Sequence, residues 1–231
     1  VLAYDTITDS WDDISELPTS SHVTTSAVNW NGSIVIPSGE IRPGVRTPRI
    51  WQADAALRRS DIDSTPVSAD GDVTHWDRLP DLPYSQGLTD PFVGVHENIL
   101  IIAGGTSLDK RDGKTERVWH DDIWILAKNS EGTYTWIDRF RLDKPRANGA
   151  AVSTDQGVVC IGGNDATQTF SDGIILSWNK DTQTLNISNL PNLPRPCTNT
   201  SAALISSELT NTIYVAGGQS GPGPETTMHN F

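Results

Sequence analysis

One nine-residue segment, Gly39–Thr47, combines residue types that can move protons with residues that fix a turn. It carries a carboxylate, Glu40, and two guanidinium groups, Arg42 and Arg46, around the rigid Pro43–Gly44 pair. A carboxylate in a partly buried site can act first as a general base and then as a general acid. Arginine pairs with carboxylates through two parallel hydrogen bonds. The segment therefore predicts an acid–base site for a small anionic ligand.

The charge of the chain excludes some partners for such a site. Its 231 residues carry a formal net charge of −12, so phosphate backbones and anionic lipid surfaces are repelled on average. The longest strongly apolar run, Ile99–Ala103, is far shorter than the roughly 20 residues of a membrane-spanning helix. We therefore expect no nucleic-acid partner and no membrane insertion. Cys160 and Cys197 are too few for a metal cluster or a disulfide framework, and we interpret both as free, packed thiols.

The elements that must position this segment are repeated strands. A short apolar run ends in a di-glycine at Gly104–Gly105, Gly162–Gly163 and Gly217–Gly218, and Ser38–Gly39 is a degenerate earlier copy. Each copy reads as two strands before the glycines and two after them, and Asn31–Gly32 is typical of a two-residue hairpin turn. Helical periodicity is nearly absent. Four-stranded units of about 50 residues predict an all-β propeller of antiparallel blades.

The repeat also predicts boundaries. A single domain, 1–231, is divided into blades at 18–79, 80–142, 143–193, and 194–231 plus 1–17. Inner hairpins are predicted over 23–36, 93–103 and 150–161, and a long charged loop over 106–121. This gives about four blades' worth of chain, whereas rings of six or seven blades need about 300 residues or more. We therefore expect a partial chain.

Antiparallel pairing brings the start of each inner strand and the end of the next strand to one face, where a ligand would enter. The substrate-binding residues predicted at this face are Arg42, His22, Gln86, Arg146, Asn148 and Arg195. Arginines in so acidic a chain favour an anionic ligand. Arg146 and Arg195 each lie next to a proline and are equally well interpreted as salt bridges between blades. His22 and His120 are weaker candidates for a second proton transfer.

The apolar runs, di-glycines and aromatic residues before Leu-Pro resemble the Kelch repeat over nearly the whole chain. Within that class, Gly-Glu-x-x-Pro-Gly-x-Arg-Thr at 39–47 resembles the signature of the N-acetylneuraminate epimerases, the cyclically permuted mutarotase family. Asp121–Trp124 and Arg146–Gly149 agree with that pattern. Thr89–Pro91 departs from it because small residues are expected there, and Pro37–Ser38 replaces the usual approach to the di-glycine.

The resemblance implies a Kelch-type propeller, six-bladed in the family, and an isomerase. The reaction interconverts the α and β anomers of N-acetylneuraminate, or of a related small acidic sugar, by acid–base ring opening and closure. Glu40 and Arg46 are the implied catalytic pair, with no cofactor and no metal. A periplasmic or secreted location is also implied, and a homodimer is left open. A salt bridge between Glu40 and Arg46 that only stiffens the loop is the structural alternative.

Other functions of such a fold have different requirements. The alternative is a non-catalytic Kelch propeller that binds a glycan or protein through its loop face, for which Trp119 and His120 are the only hint. A copper radical oxidase is excluded because its Tyr–Cys crosslink and ligands find no matching positions. A sialidase-like glycosidase needs paired carboxylates or a tyrosine nucleophile near an arginine triad, and the arginines leave that alternative open.

Overall fold

The computed structural model describes residues 1–13, 16–19, 22–54, 75–111, 113–207 and 210–221. Within these ranges the chain consists of β-strands joined in antiparallel pairs, which confirms the all-β prediction. No helix among the described residues is long and apolar enough to cross a membrane.

The strands follow one another at short intervals along the chain. In order they are β1 (Leu2–Asp5), β2 (Ser10–Asp13), β3 (Val28–Trp30), β4 (Ser33–Pro37), β5 (Glu40–Arg42), β6 (Val45–Arg46), β7 (Ile50–Asp54), β8 (Trp76–Leu79), β9 (Phe92–His96), β10 (Ile99–Ala103), β11 (Thr106–Arg111), β12 (Lys114–Trp119), β13 (Asp122–Lys128), β14 (Tyr134–Arg141), β15 (Ala150–Thr154), β16 (Gly157–Ile161), β17 (Gly173–Asn179), β18 (Thr184–Leu190), β19 (Ser201–Ser206) and β20 (Asn211–Ala216).

Three four-stranded sheets form full blades. The first blade has the order β3-β4-β7-β8, the second β9-β10-β13-β14 and the third β15-β16-β17-β18. The pairs β19-β20 and β1-β2 are separate two-stranded sheets in the described part of the chain. Joining them into one blade, and the domain boundaries as a whole, therefore stay predictions.

The inner hairpins lie where the sequence predicts them. Asn31 and Gly32 both have positive φ, 55° and 83°, as a type I′ turn requires. In the second blade the turn is Glu97–Asn98, with φ of 46° and 63°, because His96 is still part of β9. The third strand of the first blade was expected to span 50–57. It is seen as Ile50–Asp54, and residues 55–57 lie outside the described residues.

The core lies between blades, and β10 shows how one strand serves both sides. All five of its residues are buried. Because side chains alternate along a strand, Ile99, Ile101 and Ala103 pack toward the third blade. Leu100 and Ile102 pack toward the first blade. The continuous apolar run in the sequence is therefore a strand buried on both faces.

The di-glycines fasten one blade to the next. Gly39, Gly105 and Gly163 all have positive φ and donate backbone hydrogen bonds of 2.9, 2.8 and 2.8 Å to carbonyl groups of the following blade. In the Ser38–Gly39 copy, a serine can replace the first glycine for a physical reason. Ser38 has a φ of 53°, and its hydroxyl donates to the Thr47 carbonyl at 2.8 Å while accepting from the Leu88 amide at 2.7 Å.

Two blades carry an extra hairpin between their second and third strands. It is β5-β6 in the first blade and β11-β12 in the second. The prediction of a long loop over 106–121 is therefore wrong in its conformation, since Thr106–Arg111 pairs in register with Lys114–Trp119. The third blade has a short turn there, closed by a bridge between Asn164 and Thr169.

Candidate functional site

The same backbone bridge closes the loop end of every repeat. It joins the residue after the di-glycine to a residue just before the inner strand. The bridges are Val23 with Glu40, Thr89 with Thr106, Ala147 with Asn164, and Thr198 with Gln219. Glu40 therefore occupies the position that Thr106, Asn164 and Gln219 occupy in the other repeats.

One residue further along the chain, a second repeated feature connects the blades at the face where a ligand would enter. We call this face the mouth. Thr24, Asp90, Asn148 and Asn199 all have φ between 53° and 59°. The Asp90 amide donates to the Thr24 carbonyl at 2.6 Å, the Asn148 amide to Asp90 at 3.1 Å, and the Asn199 amide to Asn148 at 2.7 Å. These four residues line a cavity of about 160 Å³, together with Thr25, Ser26, Pro91, Gly149 and Thr200.

The predicted catalytic pair lies on the β5-β6 hairpin, where Arg46 contacts Thr89, the residue next to Asp90 of this cavity. Glu40 and Arg46 are register partners, and their side chains are 21 % and 5 % exposed. Glu40 Oε2 and Arg46 Nη1 are 3.9 Å apart, which is too long for a hydrogen bond. A salt bridge that only stiffened the loop would gain from closer contact, so this geometry does not favour the structural alternative.

The Arg46 guanidinium is anchored at one edge and unpaired at the other. Its Nε and Nη2 atoms donate to Thr89 Oγ1 at 3.4 and 3.3 Å, and that hydroxyl also lies 2.9 Å from Thr106 Oγ1. Arg46 Nη1 is buried and has no hydrogen-bond partner among the described residues. Burial lowers the pKa of Arg46, and the Glu40 carboxylate opposes that shift. The free nitrogen is thus a buried donor that a ligand oxygen can satisfy.

Two further charges act on this pair. Arg117, on β12, and Asp90, before β9, both contribute to the electrostatic field at Arg46. Arg117 also lies over the Trp119 ring, 5.9 Å from its centroid. The site therefore combines two carboxyl groups and two guanidinium groups drawn from the first and second blades.

The predicted binding residue Asn148 belongs to this mouth. Its Nδ2 donates to Asn164 Oδ1 at 2.8 Å, and Thr198 Oγ1 donates to the same oxygen at 3.0 Å. These side chains form a polar wall next to the cavity. Arg42 is exposed at the outer end of the hairpin, paired in register with Val45.

His22 and Arg146 lie one position before the bridge residues, where the other repeats have Leu88 and Cys197. Leu88 at this position packs into the core shared by the first and second blades. Arg146 is fully buried and donates through Nη2 to both carboxylate oxygens of Asp172, at 2.8 and 2.7 Å. Arg146 therefore forms a buried ion pair, but its partner lies in the same blade, so the prediction of a salt bridge between blades is wrong for this residue. Burial lowers the pKa of His22, and the Arg49 charge lowers it further against an opposing backbone contact at Ser38.

The other candidates lie around the rim. With its amide oriented by its acceptors, Gln86 donates to the Leu108 carbonyl at 3.1 Å and to Asp109 at 3.0 Å, and so supports β11. Arg195 is exposed. His120 Nε2 lies 3.0 Å from Ser107 Oγ, and its ring packs against Tyr84 at 4.7 Å. Burial lowers the pKa of His120, although nearby carboxylates, with Asp122 first among them, oppose this.

Three residues of the site were not predicted as functional: Thr89, Asp90 and Arg117. Thr89 and Asp90 were visible in the sequence only as a departure from the family pattern. Arg117 was one charge among several in a segment interpreted as a solvated flap. The signal that could have found Thr89 and Asp90 is their position, because each repeat places the residues before its inner strand at the mouth. Arg117, on β12, carries no such signal.

The family model of N-acetylneuraminate epimerase matches residues 1–187. The chain belongs to the N-acetylneuraminate epimerase family. Curated members with this name are 24 % identical over 197 residues in Yersinia pestis (strain Pestoides F) and 25 % identical over 183 residues in Salmonella paratyphi B. These alignments cover 77 % and 72 % of this chain but 45 % and 42 % of the relatives.

This epimerase-family chain therefore spans less than half the length of the curated relatives it matches. Among solved structures, that of YjhT superimposes with a TM-score of 0.64 at 20 % identity, covering 81 % of this chain and 51 % of that one. At this identity the likeness concerns the fold. It agrees with the four-stranded antiparallel blades described above, and the Kelch-type propeller prediction is confirmed.

Proposed function

We propose that this chain carries the acid–base centre of a mutarotase that interconverts the α and β anomers of N-acetylneuraminate or a related acidic sugar. Membership of the N-acetylneuraminate epimerase family supports the reaction class. The observation that carries the proposal is the Arg46 guanidinium, which is buried beside Glu40 with one nitrogen unpaired. A carboxylate next to a buried, unsatisfied cationic donor is suited to an anionic sugar.

Ring opening of a cyclic hemiketal needs one group that removes the anomeric hydroxyl proton and one that protonates the ring oxygen. The Glu40 carboxylate takes the hydroxyl proton, the bond between the anomeric carbon and the ring oxygen breaks, and a keto group forms. A second group protonates the ring oxygen as that bond breaks. Rotation about the adjacent carbon–carbon bond then exposes the other face of the keto group. On reclosure the attacking hydroxyl returns its proton to the second group and Glu40 returns its proton to the new anomeric oxygen, so neither protons nor electrons are consumed.

The Arg46 guanidinium positions the sugar for these steps. Its free Nη1 donates to an oxygen of the sugar carboxylate, while Thr89 accepts at the opposite edge of the fork. Arg117 adds a second positive charge on the facing hairpin. Fixing the sugar between these groups converts a slow exchange in solution into an oriented reaction.

The test is anomer exchange of N-acetylneuraminate, measured by two-dimensional exchange NMR with and without the chain. The parent accelerates exchange above the spontaneous rate, and Glu40→Gln lowers the acceleration by about 10²–10⁴-fold because an amide cannot accept the proton. Arg46→Lys keeps the charge but removes the planar fork. We expect it to raise the sugar concentration needed for half-maximal exchange.

The matched control is Glu131→Gln, in the exposed turn between β13 and β14, at the opposite end of the blade from the mouth. It should exchange like the parent. Sugar binding by a folded parent without any acceleration would contradict the mutarotase proposal and support the glycan-binding alternative. Equal activity of parent and Glu40→Gln would remove Glu40 from the reaction.

We also keep two expectations as proposals. A periplasmic or secreted location suits an enzyme that meets free acidic sugars, and fractionation of the native host checks it. Sedimentation of the purified chain checks the homodimer.

A further inference from the structure

Asp90 lies at a position that recurs in four repeats. Of the four residues at this position, Asp90 alone is ionisable. The aligned residues of the other repeats are Thr24, Asn148 and Asn199. Its φ of 55° lies in the left-handed region, which Asp and Asn tolerate better than most residues. Its amide donates to Thr24 and its carbonyl accepts from Asn148, so the backbone is fixed on both sides. The side chain lines the mouth cavity from this fixed point.

The charges facing Asp90 come from two hairpins. Glu40 and Arg46 approach from β5-β6, and Arg117 from β12. Burial raises the pKa of Asp90, and the Glu40 carboxylate also raises it. A hydrogen bond with Thr89 and the charges of Arg117 and Arg46 pull it down. The balance leaves a carboxyl that holds its proton to higher pH than a free aspartate, next to a second carboxylate.

We infer that Asp90 is the second proton-transfer group of this site, which gives a proton to the ring oxygen of the sugar while Glu40 takes one from the anomeric hydroxyl. This rests on the proposed mutarotase function. Two carboxyl groups in different surroundings are a common way to provide an acid and a base at one pH. Here the first blade supplies the base and the second blade supplies the acid.

The proton balance closes over the cycle. On opening, the Asp90 O–H proton passes to the ring oxygen as its bond to the anomeric carbon breaks, and Glu40 becomes protonated. On closure, the open-chain hydroxyl returns its proton to Asp90 as its oxygen attacks the keto carbon. Glu40 then gives its proton to the former keto oxygen. Both carboxyl groups end as they began, and no external reactant is needed.

The two histidines considered for this role are placed elsewhere. His22 is half-buried at the repeat position of Leu88 and Cys197, and it is not among the residues that line the cavity. His120 is 9 % exposed and is held by Ser107 and the Tyr84 ring. Asp90 is the ionisable side chain that lines the mouth cavity in the described part of the chain.

The experiment is the pH dependence of background-corrected anomer exchange for the parent, Asp90→Asn and Asp90→Gly. The rate of the parent should fall on the alkaline side of its optimum, as Asp90 loses its proton. Both variants should be slower by about 100-fold at the optimum and should lack the alkaline limb.

Two variants guard against misfolding, since asparagine keeps the shape of the side chain and glycine suits the positive φ. Asp181→Asn, in the exposed turn between β17 and β18, is the matched control and should keep the parent profile. If Asp90 only shaped the turn or balanced Arg46, Asp90→Asn would change the height of the profile but keep the alkaline limb.

The outcomes separate the two proposals. A parent that accelerates exchange, with folded Asp90 variants that keep the alkaline limb, overturns the role of Asp90 and leaves the mutarotase function standing. A folded parent that never accelerates exchange overturns both. Loss of the alkaline limb in both variants supports Asp90 as the acid.

Discussion

The guanidinium groups of Arg46 and Arg146 are 5 % and 0 % exposed, and the protein satisfies them in different ways. Arg146 donates through Nη2 to both oxygens of Asp172, and its Nε and Nη1 have no partner among the described residues. Arg46 donates through Nε and Nη2 to Thr89, and its Nη1 has no acceptor in the described chain. The signature around Arg46 predicted that it lies next to Glu40, and its role in the reaction stays a prediction. The proline beside Arg146 did not show whether this side chain reaches the mouth or forms a buried ion pair, because its partner Asp172 is distant in sequence.

His22 leads to a prediction about stability and pH. Its folded pKa is lowered by burial from an ordinary value of 6.5, so the unfolded chain binds the proton more tightly. Stability is therefore lost as the pH falls below about 6.5. His22→Leu, which copies Leu88 of the next repeat, should flatten this dependence. Urea unfolding at about pH 5.5 and about pH 8 measures it.

Part of the slope will remain in this variant, because burial also lowers the pKa of His120. The same variant checks the binding prediction for His22. A large loss of exchange activity at pH 8, without loss of stability, would return His22 to the sugar site.

At the scale of elements, β9 packs so tightly against the third blade that only glycine fits at position 94. A Cβ on Gly94 would lie 2.4 Å from Val158 Cγ1, against a branched side chain with little room to move. Gly94→Ala should lower the free energy of unfolding by about 1–3 kcal/mol through overpacking. Gly173→Ala is the matched change in β17, where the nearest atom would be at 3.4 Å, and it should be close to neutral.

Chemical unfolding of the two variants side by side tests this interface. Equal stability would mean that the blades separate easily enough to absorb a methyl group. Both variants should keep the Glu40–Arg46 hairpin intact, because neither glycine touches it.

Elements with an apolar face were predictable, and the charged hairpin was not. β10 and β16 are buried throughout, and their apolar runs showed them as strands. In β12, Lys114–Arg117 are exposed, so the alternation that marks a half-buried strand is missing. Its pairing with β11 comes from the backbone. For that reason Arg117 was interpreted as a solvated charge and its place near Asp90 was missed.

At the scale of the molecule, the two thiols should report opening of different parts. Cys160 lies in the core between the second and third blades, and burial raises its pKa to about 12. Cys197 lies beside β19-β20, whose strands are mostly exposed. Local opening of this sheet should let Cys197 react with a thiol reagent at least about tenfold faster than Cys160, a difference of about 1.4 kcal/mol in opening free energy.

Cys160→Ala and Cys197→Ala, labelled under native conditions, assign each rate to one thiol. Equal rates would show that the chain opens as one cooperative unit. Both cysteines are free and buried as expected, and Cys160 lies in β16 whereas Cys197 precedes β19. The repeat could not predict their relative protection, which depends on how many strands cover each one.

The β5-β6 hairpin, the β11-β12 hairpin and the Asn164–Thr169 turn all leave their blades at the same junction, between a di-glycine and the third strand. The inserts differ in length and charge, while the hydrogen bonds that anchor their bases are the same. The fold therefore tolerates different insertions at this junction. Replacing the inserted segment would change which ligand the face binds without rearranging the blade cores, so a new specificity can arise by exchange of this segment alone.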